Sequence, residues 1–253
     1  MNAVTNRDST GRRWSKAKRH WKGYSPLELY CRAPTRYPQE VLDYDSELVV
    51  VYDKYPKAYY HFLILPRVPI LNIYGLTRAD IPLIQRMERR AKQLITQLRT
   101  ATPPIPSLTA ATVTSDNNGM EVTSTDTRKP LLPLFRDFLV GFHSIPSVPQ
   151  LHLHVISDDL LGPYMKGKGK WNTFATPFLR TPQTLAAQLS HLPLQPTNAT
   201  LPYNEATERQ YFNVPIHCLH CHQPFAQFKQ LRAHIPACLA QNANLAQGAN
   251  NRV

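Results

Sequence analysis

The sequence predicts an α+β fold, an antiparallel sheet with a few helices, followed by a small C-terminal ββα-like metal module. Three observations carry this. Strand-like runs at Leu48–Tyr52, Tyr60–Leu65 and Leu151–Ser157 have few helices between them, which argues against a doubly wound parallel sheet. A single long segment repeats Leu83, Met87, Ala91, Leu94 and Leu98 every three or four positions, giving one buried helix face. Near the C-terminus, CLHCHQPFAQFKQLRAHIPAC spaces Cys218, Cys221, His234 and Cys238 as C-x2-C-x12-H-x3-C, a zinc-ligand pattern.

Composition bounds the function. At 253 residues with 42% hydrophobic content the chain has ample length for a core. It contains no apolar run of the roughly 18 residues that a membrane span needs. The formal net charge is +12, and residues 1–24 contribute Arg7, Arg12, Arg13, Lys16, Lys18, Arg19 and Lys22 against Asp8 alone. Such an arm suits a polyanion, a nuclear localisation signal or a solvated disordered tail. Its lack of an apolar core predicts no secretory leader, hence a reducing, intracellular location. There the four cysteines signify metal or free thiol, and the unmatched Cys31 reads as a packing thiol.

Along the chain, Ser25, Pro26 and Glu28 predict a short helix with a capping box. Thr77 and Asp80 cap the long amphipathic helix, whose Arg86, Arg89, Arg90 and Lys92 form a solvated face. Residues 101–130, rich in Thr, Ser and Pro and without aromatics, read as a disordered insertion. The expected layout is a basic arm at 1–24, a catalytic domain at 25–191, a linker at 192–213, the finger at 214–240 and a loose tail at 241–253.

The stretch GFHSIPSVPQLHLHVIS concentrates the chemistry. If 151–157 is a strand, Gln150, His152 and His154 share one face while Leu151, Leu153 and Val155 enter the core. His143 precedes them on a Pro-rich loop. From spacing alone, the imidazoles fit either metal ligands or a catalytic pair.

QLHLHVIS resembles the His-φ-His-φ-His-φ-φ motif of the histidine-triad superfamily, and DKYPKAYYHFLILPR resembles the other half of that fold. DKYPKA, GFHSIPSVPQLHLHVIS and KWNTF, followed by a finger, are similar to the aprataxin family. The resemblance covers about 25–100 and 131–238. It implies a histidine-triad fold and a hydrolase that removes AMP from 5′-adenylated DNA breaks or nicks, RNA–DNA junctions included, through a covalent histidine–AMP intermediate. His152 would be the nucleophile, one ring nitrogen bonded to a backbone carbonyl to fix the tautomer. His154 would hold the phosphate, and His143 would meet the departing 5′-phosphate. Asp53 matches the position that binds the ribose hydroxyls, His61 the fourth histidine, and Ser147 a phosphoryl contact. Gln150 stands where the motif has its first histidine, as a supporting substrate-site residue. Gly169 stands where the family has a lysine, so Lys168 or Lys170 would serve, while Lys54 and Lys57 are candidate DNA-phosphate contacts. Leu27, Leu29 and Tyr30 would pack against the exposed base pair, and Lys229, Gln230 and Arg232 would grip phosphates.

These readings predict a monomeric nuclear repair hydrolase with structural zinc, no cofactor at the catalytic site, DNA as partner and AMP as product. A general histidine-triad hydrolase of nucleoside phosphoramidates or dinucleotides, and a non-catalytic zinc-finger DNA-binding protein, are the alternatives.

Overall fold

The structure, a computed structural model, describes residues 25–101, 105–106, 135–194 and 197–250, the last nine by backbone alone. The basic arm, nearly all of the 101–130 insertion and the final three residues lie outside these.

The strands are β1 (Val41–Tyr44), β2 (Leu48–Tyr52), β3 (His61–Pro66), β4 (Phe138–His143), β5 (Leu153–Ser157) and β6 (Leu179–Arg180). They form one sheet in the order β1-β2-β3-β5-β4-β6, every pair antiparallel. Helix α1 spans Pro26–Arg32, α2 Ile81–Thr100, α3 Lys168–Ala175, α4 Pro182–Ser190 and α5 Glu205–Arg209.

Strand alternation sorts the side chains into two layers. Phe62, Ile64, Leu153 and Val155 share a core with Ile84, Met87, Ala91 and Leu94 of α2 and with Leu185 and Leu189 of α4. The opposite parity, Leu63 and Leu65, packs with Val49, Val51 and Cys31 beneath α1. His61 and His154 belong to that second face, so the sheet itself separates the imidazoles from the main core. The helix face is shifted by one residue from expectation: Ile84 rather than Leu83 is buried. The Thr77–Asp80 capping box forms, on a 3-10 turn that leads into α2. On α2, Lys92 pairs with Glu88 on an exposed face, whereas Arg90, expected on that face, is largely covered and pairs with Asp43.

Several local expectations are corrected. Ser25 is the N-cap of α1 but its hydroxyl makes no cap bond, and Glu28 pairs with Arg32 at 2.6 Å instead. Of the apolar α1 residues, Leu29 is exposed, whereas Leu27 and Tyr30 lean on the β2–β3 core. Residues 197–213, expected as linker, hold structure: α5 lies there, Glu208 pairs with the half-buried Arg180, and the Phe212 ring lies tilted against Phe178 at 5.1 Å. The finger consists of β7 (Ile216–His217), β8 (Pro224–Phe225) and α6 (Phe228–Asn250). Helix α6 continues to Asn250 where a loose tail was expected, since Ala, Leu and Gln recur through that stretch and favour helix. Nor does the finger stand alone. Leu231, Ile235, Cys238 and Leu239 share a core with Ile156, Trp171 and Phe174.

Candidate active site

Three adjacent strands deliver the histidines. In the β3–β5–β4 register, His154 lies opposite Leu63 on one side and Gly141 on the other. His61 and His143 sit two residues away from those partners, hence on the same face as His154. Ring centroids are 5.2 Å apart for His61–His154, 4.2 Å for His143–His154 and 4.9 Å for His152–His154. Phe174 of α3 stands edge-on to His61, His143 and His154 at 5.7, 4.7 and 5.5 Å, closing the cluster from above. Gly141 is required here: a Cβ would meet Leu179 at 2.6 Å and the Arg180 carbonyl at 3.0 Å.

His152 is not part of the strand. β5 starts at Leu153, because Gln150 takes a φ of 90° and turns the chain just before it. Gln150 and Leu151 N–H groups donate to the carbonyls of Leu71 and Ile70. The Gln150 side chain is anchored to the chain before α2. Its amide donates to the Pro66 and Val68 carbonyls at 2.7 and 3.2 Å, and its own carbonyl oxygen is 2.8 Å from His152 Nδ1.

Hydrogen bonds fix a proton inventory. The Lys57 backbone N–H donates to His61 Nδ1 at 3.3 Å, so a neutral His61 carries its proton on Nε2. That nitrogen is 2.9 Å from His154 Nδ1 and 3.4 Å from Asp53 Oδ2. His154 accepts on Nδ1 and therefore holds its own proton on Nε2, which has no partner among the described residues; nor does His143 Nε2. His152 donates from Nδ1 to the Gln150 carbonyl, leaving the Nε2 lone pair free.

Burial keeps these rings neutral. It pushes His61 down to about 3, against the pull of Asp53. Burial, with the neighbouring imidazoles and Lys57, holds His143 and His154 well below the usual value. His152 is lowered by burial too, though its Gln150 bond works the other way. The fixed charges lie at the rim. Asp53 is buried, which alone would raise its pKa, but His61, Lys57 at 3.3 Å and the Tyr55 N–H hold it below the carboxylate range. Burial lowers Lys57, and Asp53 opposes that.

Lys57, rather than the exposed Lys54, is thus the cation beside the histidines; the two are indistinguishable from the pattern DKYPKA alone. Both lysines of α3 are exposed, but Lys170 bears electrostatically on Lys57 and His143. Ser147 is exposed on the loop after β4; its neighbour Pro146 lines a shallow cleft together with Asn72, Phe142, His143, Gln150 and His152. Asp53 is engaged by Lys57 and His61. Phe174 was not singled out from sequence, though it lies in the KWNTF segment and its aromatic character was the available signal. Cys31 is buried, and burial pushes its thiol up to about 12, in keeping with a packing role.

The four predicted zinc ligands converge. Their ligand atoms lie within 4.8 Å of one another, with Cys218 Sγ to Cys238 Sγ at 3.9 Å and Cys221 Sγ to His234 Nε2 at 3.2 Å. Tetrahedral zinc with bonds of about 2.0–2.3 Å needs ligand atoms some 3.5–3.8 Å apart, so this donor set fits the ion. A second cluster, Asp53, His61 and His154, meets the same proximity test. There both His61 nitrogens and His154 Nδ1 are engaged in the hydrogen-bond chain described above.

Residues 28–108 match the family model described as scavenger mRNA decapping enzyme C-term binding. A HIT domain-containing protein of Dictyostelium discoideum is 35% identical over 156 residues, covering 62% of this chain and 34% of that protein. Aprataxin of Gallus gallus is 29% identical over 191 residues, covering 76% of this chain and 48% of its own. The chain therefore spans between about a third and a half of the length of these curated relatives. Among solved structures, the aprataxin ortholog Hnt3 from Schizosaccharomyces pombe superposes with a TM-score of 0.54 at 21% identity, over 85% of this chain and 92% of that one. The same ortholog has been solved in complex with DNA, with a TM-score of 0.53, 21% identity, and 86% and 94% coverage. In sequence the chain is thus similar to aprataxins and to a HIT domain-containing protein, and its fold is that of the aprataxin ortholog Hnt3.

Proposed function

We propose that this protein is a nuclear DNA-repair hydrolase that removes AMP from 5′-adenylated ends, RNA–DNA junctions included. The observation that carries the reading is the His152 Nδ1 bond to the Gln150 carbonyl, which leaves Nε2 as an unprotonated nucleophile at neutral pH. The similarity to aprataxins, the DNA complex of the S. pombe ortholog and the net charge of +12 support a nucleic-acid substrate.

In the first step His152 Nε2 attacks the adenylate phosphorus and the P–O bond to the DNA 5′-phosphate breaks. The Gln150 carbonyl stabilises the imidazolium that results. His154 Nε2–H, unpartnered, hydrogen-bonds a phosphoryl oxygen, and the Lys57 and Lys170 ammonium groups offset the charge that develops there. A phosphate monoester has a second pKa near 6, so the departing DNA end needs no proton at pH 7. His143, neutral through burial, therefore serves as a hydrogen-bonding partner of the leaving group rather than as its acid. Water then attacks phosphorus, the P–N bond breaks, His152 leaves as the neutral ring, and AMP departs with the water oxygen and one of its protons while the other passes to solvent. Asp53, held by Lys57 and His61, would accept from the ribose hydroxyls. Cys218, Cys221, His234 and Cys238 would hold a structural zinc, which supplies folding energy to the finger and no chemistry at the histidines.

The test is AMP release from a purified sample given an adenylated nick. Release that vanishes in His152→Ala, and that survives brief EDTA, supports the reading. Turnover confined to small nucleotides, or DNA binding with no release, overturns it.

A further inference from the structure

The finger helix carries an arginine whose guanidinium turns back onto the backbone of the preceding domain. Arg232 donates from Nη2 to the Leu161 carbonyl at 2.7 Å, and from Nη1 to the carbonyls of Met165 and Gly162 at 3.1 and 3.4 Å. Those three carbonyls belong to one turn, and the other side of that turn is bonded to the segment holding Lys57. Gly162 N–H donates to the Lys57 carbonyl at 2.9 Å, and Tyr164 N–H to the Pro56 carbonyl at 3.1 Å. The Asp159 carboxylate joins the two segments again, accepting from Tyr59 N–H at 3.1 Å and Leu161 N–H at 3.0 Å. Contact is so close that a Cβ on Gly162 would sit 2.4 Å from Ala58 N and Lys57 C. After Met165 the chain enters α3, which brings Lys170 and Phe174 to the histidines.

The geometry points to Arg232 as a positioning residue: through it the metal-bound finger clamps the Leu161–Met165 turn, and with it Lys57 and α3, against the histidine cluster. A guanidinium suits this because its fork reaches several carbonyls at once, which an ammonium does not. His234 is two residues further along the same helix, so metal ligation fixes the helix from which Arg232 extends. Arg232, expected from sequence to grip a DNA phosphate, commits its Nη1 and Nη2 to this turn. Loss of metal then weakens catalysis even on a substrate too small to touch the finger. The inference rests on the catalytic reading of the histidines only for its rate effect; the clamp itself has a separate readout.

The experiment uses the full zinc-loaded chain, its Arg232→Ala and Arg232→Lys variants, and protein stripped of zinc. Amide hydrogen exchange is followed at Gly162 and Tyr164, with the β2 amides as reference, and turnover is measured on adenosine 5′-phosphoramidate. Exchange at Gly162 and Tyr164 is expected to quicken about tenfold or more in Arg232→Ala and on zinc removal, with β2 unchanged. On the small substrate kcat should fall about tenfold with little change in KM, as a slight misplacement of the site demands, and Arg232→Lys should fall between. Unchanged exchange at both amides overturns the proposal, as does a rate loss seen with DNA but not with the phosphoramidate. Should the wild-type chain turn over no adenylate at all, the catalytic reading fails while the exchange result still decides the clamp.

Discussion

His61 Nε2 lies 2.9 Å from His154 Nδ1, and this one bond sets which nitrogen of His154 bears a proton. The chain of donors starts at the Lys57 backbone N–H, passes through His61 and ends at an unpartnered His154 Nε2–H. A phosphoryl oxygen is thus offered a donor without any group having to ionise.

Removing the relay should show in the chemical step. His61→Ala leaves His154 free to carry its proton on either nitrogen, and Asp53 without a neutral partner. Loss of one oriented donor costs about 100-fold to 1000-fold in kcat. Single-turnover AMP release at saturating substrate is expected to fall by that order, with binding of the adenylated end largely retained.

Acid should inactivate and destabilise together. The buried histidines bind fewer protons folded than unfolded, so their contribution to stability is whole above the ordinary value of 6.5 and is lost as pH falls from there toward the depressed value, about 3 for His61. Urea midpoints should be flat above pH 7 and decline from pH 6 downward. The acid limb of kcat/KM, reporting His152, should lie below pH 6.5.

Gln150 holds the His152 carbonyl partner through two side-chain bonds. Gln150→Ala removes both, and keeps a Cβ at a φ of 90°, a conformation L residues disfavour. Stability should drop by about 1–3 kcal/mol for the unmet carbonyls and lost contacts. Gln150→Gly should recover part of that in chemical denaturation but not the catalytic rate, because backbone freedom relieves strain without restoring the anchor.

Gly162→Ala tests the close approach of the two loops. Its Cβ would meet backbone atoms at 2.4 Å, and backbone has no rotamer by which to yield. The turn must move, carrying Lys57 with it, so kcat should fall at least tenfold while far-UV circular dichroism stays near wild type.

Zinc removal should be felt beyond the finger. Leu231, Ile235 and Leu239 of α6 share a core with Ile156 and Trp171, so the finger is one wall of the main body. Cys221→Ser, or prolonged chelation, is expected to lower the Tm of the whole chain in a single transition rather than release a separately melting module.

Much of this was written in local pattern. The strands β2, β3 and most of β5, the long amphipathic helix and the zinc-ligand spacing follow from side-chain alternation, helical periodicity and ligand spacing, all of which are properties of neighbouring residues. QLHLHVIS and DKYPKA marked the imidazoles and Asp53 because residue type and separation suffice for that. Other features were invisible for a common reason. The positive φ of Gln150, and so the exclusion of His152 from the strand, depends on carbonyls of Pro66, Val68, Ile70 and Leu71, some eighty residues earlier. Likewise, Lys54 and Lys57 are equivalent as charges in sequence, and only the fold around the β2–β3 turn places one of them on Asp53. Arg232 has the composition of a phosphate contact, yet three carbonyls some seventy residues away claim it.

The sequence by itself determined which chemical groups are present, their approximate elements and the metal donor set, since these depend on spacing along one strand or helix. Tertiary structure alone decided which nitrogen of each histidine is protonated, which lysine meets the carboxylate and what the finger leans on. Those are settled by hydrogen-bond partners from distant segments, and a donor commits to whichever acceptor the completed fold brings within about 3 Å.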